Sequence, residues 1–290
     1  MDYLFHILIF FCITLVLTTS LDLLVGETGL LSLGHAAFYG LGAYASALLT
    51  VRMGAPFVVG IFVGMAGSAL ISFVVSLPSL RLHDDYFVIA TFAFQMIFFG
   101  IFNNWVGLTG GPLGVPGIPP PNIVGWTIRS NIGFVVLGVA FAAFAYSIVR
   151  MLASSPFGRV LRGIREDEIF TKSLGKNTLK YKVTAFAVSA ALAASAGSLY
   201  AHYITYVDPT TFTVMESILV ISIVIVGGAG SRWGALVGAA VLVTLPEVLR
   251  FIGLPSSVAA NLRQIVYGVL LIVMMMFRPR GLVGKYGFGR

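Results

Sequence analysis

Charged side chains make up 10% of this 290-residue chain, and they are concentrated in few places. Eight of the 18 Lys and Arg lie between residues 150 and 182 (Arg150, Arg159, Arg162, Arg165, Lys172, Lys176, Lys180 and Lys182), beside three consecutive acids, Glu166, Asp167 and Glu168. Side chains of these types, set between apolar runs, do the chemistry of recognition: ion pairs and charge-assisted hydrogen bonds to a neighbour outside the lipid. Phe157, Arg159, Arg162, Arg165, Glu166, Glu168 and Gly175 are the candidate contacts for a soluble protein. Anionic lipid is the competing neighbour, because Lys and Arg clusters next to membrane spans are drawn to its headgroups.

A second group falls inside an apolar run. Ser32 and His35 offer hydrogen-bonding groups at membrane depth, and Gly34 permits close helix approach. With Tyr39 they are the candidate residues of a solute pathway; the plainer reading of His35 is a hydrogen bond to a neighbouring helix. A third group, Gly227, Gly228, Gly230 and Gly234 around Ser231-Arg232-Trp233, interrupts two apolar runs. It is either a broken helix whose half-helix ends meet a zwitterionic solute, or a cytoplasmic turn. No phosphate loop, dinucleotide fingerprint or HExxH metal motif occurs, the four histidines (His6, His35, His83, His202) are dispersed, and Cys12 is the single cysteine. The expectation is therefore a non-catalytic chain with neither metal nor cofactor.

The elements that must position these groups follow from composition. With 58% hydrophobic residues, 33 glycines and a mean hydropathy of +0.97, the apolar runs repeatedly reach the about 20 residues that a bilayer core demands. They are apolar on every face, which disfavours a β-barrel with its alternating strands. The expected fold class is all-α: a polytopic helical membrane protein, one domain over 1–290, with eight to ten transmembrane helices and one or more broken or partial ones. Nine candidate spans are read, at 4–25, 29–50, 57–78, 86–103, 131–152, 183–203, 213–226, 234–250 and 261–277. Glycines crowd the second of them, which allows a partial helix there. The first run lacks a basic flank and a small-residue cleavage pattern, so it is expected to be retained as a span.

The net charge of +7 encodes orientation and does not point to nucleic acid: the 153–182 segment and the tail with Arg278, Arg280, Lys285 and Arg290 are placed in the cytoplasm. The uncharged stretch from Asn103 to Trp126, dense in Gly and Pro, then falls in a periplasmic loop at 104–129, a stiff connector anchored by Trp105 and Trp126 or a cap on a pathway. Within the basic segment, Ser155 can cap a helix with Pro156 at its first position, residues 157–174 suit that helix, and Gly175 suits a left-handed terminus. Its apolar members Val160, Leu161, Ile164, Ile169 and Leu174 can face the bundle or a partner's groove, and Asn177 or Thr178 can cap the next helix.

Four stretches carry a family resemblance: GLLSLGHAAFYGLGAYASALL at 29–49, NNW…LTGGPLG at 103–114, FGRVLRGIREDE…LGKN…YK at 157–182 and GGAGSRWGALVGAAVLVTLPEVLR at 227–250. Together they resemble the permease family of branched-chain amino-acid ABC importers, nearest to its M-type inner-membrane subunit, over almost the whole chain. The resemblance implies a multi-pass subunit of the bacterial inner membrane, paired with a second homologous permease subunit as a heterodimer. It further implies two cytoplasmic ABC ATPase subunits and a periplasmic substrate-binding protein that delivers leucine, isoleucine or valine. Residues 168–175 resemble the loop that inserts a short helix into an ATPase groove, with Glu168-Ile169-Phe170 where that loop usually reads Glu-Ala-Ala. Family members also serve urea, short amides and other amino acids. The alternative from a different class, an ion-coupled secondary transporter of small amino acids or amides, is expected to bury paired carboxylates, whereas only Glu216 lies well inside a span.

Overall fold

The computed structural model describes residues 2–80, 84–123, 126–250, 256–278 and 280–284. Expectations for His83, for the side chain of Trp126 and for the tail residues Lys285 and Arg290 fall outside the described residues. Each of the nine apolar runs is found in a helix. The helices among the described residues are α1 (Asp2–Thr28), α2 (His35–Met53), α3 (Phe57–Ser79), α4 (Asp84–Asn104), the single turn α5 (Val106–Thr109), α6 (Asn131–Ser154), α7 (Pro156–Glu166), α8 (Glu168–Ser173), α9 (Thr178–Ile204), α10 (Val214–Gly227), α11 (Gly234–Arg250) and α12 (Ser256–Phe277). Helices suit this composition because lipid offers no partner for an unpaired backbone N–H or C=O. Five of them are long and apolar enough to cross a bilayer: α1, α3, the stretch Tyr86–Asn104 of α4, α6 and α9. The chain is a helical membrane protein.

Burial ranks these spans. In α9, 78% of the most apolar window is buried and in α1 61%, against 28% in α3, α4 and α6, so α1 and α9 form the centre and the other three turn one side to lipid. α2 packs on α9 at backbone distance. A Cβ on Gly42 would stand 2.0 Å from the Ala194 carbonyl oxygen, and one on Gly197 would stand 1.9 Å from that of Tyr39, so only glycine fits at either place.

The helix ends define two opposite faces. On one, Asn131 Nδ2 donates to Asp2 Oδ1 at 3.1 Å and His6 Nδ1 lies 2.7 Å from the Tyr203 hydroxyl, bringing together the starts of α1 and α6 and the end of α9. The Gly/Pro-rich segment covers this face as short strands, β1 (Val115–Pro116), β2 (Asn122–Ile123) and β3 (Trp126–Thr127), with β4 (Tyr206–Val207) following α9. β1 pairs antiparallel with β4, and β2 with β3. Arg52 Nη2 donates to the carbonyls of Gly107 (2.8 Å) and Leu108 (2.7 Å), and the Tyr206 hydroxyl to that of Leu113 (2.9 Å), so the segment is stapled to the ends of α2 and α9. The opposite, basic face carries the ends of α1 and α6, all of α7 and α8, the start of α9 and the 227–234 turn.

Two expected elements are redrawn. The second span begins at His35 and not at residue 29. Gly29 is left-handed (φ 75°), Ser32 Oγ accepts from Gly34 N at 3.4 Å, and Leu33 N donates to the Thr91 hydroxyl at 3.1 Å, so hydroxyls replace helical carbonyls as partners over these residues. The expected single helix over 157–174 is split at Asp167, which is extended (φ −157°, ψ 106°) and accepts from Phe170 N at 2.8 Å as the N-cap of α8. Three acids at a helix C-terminus oppose the helix dipole, while at the start of a new helix they complement it.

Candidate functional site

On the basic face Ser155 caps α7 as its sequence suggests, its Oγ accepting from Phe157 N (3.1 Å) and Gly158 N (3.4 Å), with Pro156 in the first turn. Leu161 and Ile164 are buried against the bundle. Arg162 and Arg165, two of the candidate docking residues, turn inward to the end of α1. Arg162 Nη1 donates to Glu27 Oε2 at 2.7 Å and to the Ala153 carbonyl at 2.9 Å. Arg165 donates to the Gly26 carbonyl and lies 3.4 Å from Glu166 Oε1. A cation on the last carbonyls of α1 offsets the negative end of its dipole. Phe157 stacks on Tyr181 of α9 with ring centroids 5.3 Å apart.

Glu168 anchors α8. Its carboxylate accepts from Lys182 Nζ (2.6 Å), Thr178 Oγ1 (2.8 Å) and Lys172 Nζ (3.0 Å). Partial burial by itself raises this carboxyl's pKa, but the hydrogen bonds from Lys182, Thr178 and Lys172 outweigh it and bring the pKa down to about 2. The other side of α8 is bare: Ile169 is 81% exposed, Phe170 61% and Leu174, just past its end, 63%. Gly175 is left-handed (φ 74°) and Asn177 Oδ1 accepts from Lys180 N at 3.1 Å as the cap of α9. The candidate set therefore separates into anchors (Phe157, Arg162, Arg165, Glu168) and an apolar knob held out by them, with Arg159 and Glu166 exposed alongside. Ile169, Phe170 and Leu174 stand out from the basic face as exposed apolar side chains.

In the bundle interior, Ser32, Gly34, His35 and Tyr39 are all buried. His35 Nε2 lies 2.7 Å from Ser20 Oγ, and the same hydroxyl is within hydrogen-bond distance, 2.7 Å, of the Leu17 carbonyl. Tyr39 packs between Tyr200 and Phe212, with centroids 5.6 and 5.0 Å away. A second histidine, His202, stands beneath the Gly/Pro-rich face. Its Nδ1 donates to the Pro119 carbonyl at 2.8 Å, which fixes the tautomer, and its Nε2 is 2.9 Å from Ser46 Oγ. With Thr50, Phe57, Asn122 and Arg129 it lines a cavity of about 500 Å³.

The third glycine group is a turn joining α10 to α11 on the basic face. Gly228 packs against Gly281 and Gly284, Gly234 opens α11, and Gly230 N donates to Asp22 Oδ1 of α1 at 2.8 Å. Between this turn, α1, α6 and α7 lies a cleft of about 420 Å³. Asp22 and Glu27 stand on the α1 side, Arg150 on α6, Arg162 on α7 and Arg232 on the turn. Among the described residues no group of three or more His, Cys, Asp or Glu is placed to hold a metal ion.

The sequence profile of the family described as branched-chain amino acid transport system / permease component matches residues 3–275. The chain belongs to this family. Similar relatives are the high-affinity branched-chain amino acid transport system permease proteins LivM of Salmonella typhimurium and Escherichia coli, each 33% identical over 93% of this chain and 68% of their own. The autoinducer 2 import system permease protein LsrC of Shigella flexneri is 27% identical over 91% of this chain and 72% of its own. No solved structure matches. The similar relatives are thus named for chemically different solutes. Of this permease's buried polar groups, sequence reading missed Thr19, Asp22 and His202. The available signal was a carboxylate or imidazole inside an apolar run; Asp22 in LTTSLDLLVGE has it plainly.

Proposed function

We propose that this chain is the membrane-spanning permease subunit of an ATP-driven importer for leucine, isoleucine and valine in a bacterial inner membrane. It forms half of the translocation pathway with a second, homologous permease subunit, and residues 1–290 act as one transmembrane domain. Two cytoplasmic ABC ATPase subunits dock on the basic face, and a periplasmic substrate-binding protein delivers solute to the Gly/Pro-rich face. The excess of Lys and Arg on the α7–α8 face supports its cytoplasmic assignment. The solute class rests on the names of the LivM relatives.

The observation that carries the coupling role is the knob of α8. Apolar side chains held in water on a capped, ion-paired helix gain free energy only when a groove covers them. Phe157, Arg162 and Arg165 tie α7 to α9 and α1, so a push on α8 tilts the central helices, and catalysis of ATP hydrolysis stays with the partner. Ile169→Asp and Phe170→Asp test this in the complete importer reconstituted with its binding protein. ATP-driven leucine uptake and stimulation of the ATPase by loaded binding protein are both expected to be lost, with the permease still inserted and folded. Undiminished uptake by both variants overturns the docking role.

A further inference from the structure

The cleft on the basic face holds polar groups that the coupling role leaves unused. Its α1 wall carries two carboxylates, Asp22 and Glu27, and its rim carries Arg150 and Arg232. Glu27 is committed to Arg162 at 2.7 Å, and Asp22 Oδ1 accepts one backbone N–H, from Gly230, which leaves Asp22 acceptor capacity. Arg150 and Arg232 have no hydrogen-bond or ion-pair partner among the described residues and are exposed at the mouth. Thr19 is only 3% exposed and lines the same cleft, yet among the described residues its hydroxyl has no hydrogen-bond partner. A buried hydroxyl left unpaired costs about 1–3 kcal/mol, so a polar ligand group that reaches it is favoured. Val149, Ala235 and the ring of Tyr146 supply an apolar wall beside these groups. The volume lies within the about 300–1,000 Å³ typical of small-molecule sites.

Acceptors on α1, free guanidinium groups on α6 and on the α10–α11 turn, and apolar side chains on the same lining are complementary to one class of solute. The geometry points to a site for a zwitterionic, aliphatic α-amino acid at the cytoplasmic mouth of the permease, its ammonium at Asp22 and Thr19 and its carboxylate at Arg150 and Arg232. The ligand class rests on the importer reading above. Glu27 and its partner Arg162 of α7, the element that leads into α8 and its knob, line the same cleft.

The test uses inside-out membrane vesicles containing the complete importer without its binding protein, so that the bath meets the basic face. Saturable binding of radiolabelled leucine is expected, competed by unlabelled leucine but not by leucinamide, which lacks the carboxylate, or by 4-methylpentanoate, which lacks the ammonium. Arg150→Ala and Thr19→Val should each weaken binding by about tenfold, the loss of one charge-assisted or buried hydrogen bond. Thr19→Val is nearly isosteric and keeps the test decisive should Arg150→Ala fail to assemble. Absence of saturable binding, equal competition by either singly charged analogue, or full affinity in the variants overturns the site. ATP-driven leucine uptake into proteoliposomes of the same importer, with ATP inside and loaded binding protein in the bath at the Gly/Pro-rich face, separates the two readings: uptake without cytoplasmic-side binding overturns the site alone, whereas no uptake of leucine, isoleucine or valine overturns the importer reading.

Discussion

Glu168 and Glu27 show how single side chains place the α7–α8 segment. Glu168 has a carboxyl pKa depressed to about 2 by donors from Lys182, Thr178 and Lys172, against an ordinary value of 4.5. A depressed carboxylate stabilises the folded form above its unfolded pKa, and that contribution is lost as pH falls from about 4.5 through about 2. The hold on α8 should therefore be intact at pH 5 and weaken steadily in stronger acid. Amide hydrogen exchange of residues 168–173, corrected for intrinsic rate, should show protection falling between pH 4.5 and 3, and Glu168→Gln should lower protection at pH 6 and flatten that dependence. The Arg162–Glu27 pair predicts a different signature. Glu27→Leu strands a guanidinium against the bundle and should cost about 1–3 kcal/mol, read as a lower melting temperature in detergent. Glu27→Leu with Arg162→Leu should cost less than the sum of the two single changes, because neither charge is then left unpaired.

Among elements, the α2–α9 contact carries the strictest demand. Gly197→Ala would drive a methyl group into the Tyr39 carbonyl, 1.9 Å from the ideal Cβ, and the helices must part to admit it. Overpacking of this kind costs about 1–3 kcal/mol or more, and the folded yield on size exclusion should fall accordingly. Gly67→Ala is the matched control: nothing lies within 4 Å of its added Cβ, so yield and melting temperature should be unchanged or slightly raised. The helices themselves were legible in the chain because lipid leaves an apolar run few other conformations. Legibility ended where side chains compete with the backbone for hydrogen bonds. Asp167 could be read as a helix interior residue or as a cap, and only the placement of α8 against Lys182 and Thr178 decides for the cap. Ser32 and Thr91 likewise delay the start of α2, and Thr91 lies two helices away in sequence.

At the scale of the molecule, the sequence could locate charged and glycine-rich segments but not their neighbours. Gly26 and Gly230 are far apart in the chain and meet at backbone distance; Asp22, read alone, is a misplaced charge, and beside Gly230 it becomes the fastener between α1 and the α10–α11 turn. The structure orders the helix ends into two faces, and the proposal that the basic face lies inside rests on the charge bias. That assignment makes a sharp prediction because Cys12, the one native thiol, is buried and gives little labelling background. Leu113→Cys stands on the Gly/Pro-rich face, where Leu113 is 82% exposed, and Lys176→Cys stands on the basic face, where Lys176 is also exposed. In intact spheroplasts a membrane-impermeant maleimide should label Leu113→Cys at once and Lys176→Cys only after the inner membrane is permeabilised. The reverse pattern would turn the molecule over, placing α8 where no ATPase can reach it and the arginines of the cleft on the side from which solute arrives.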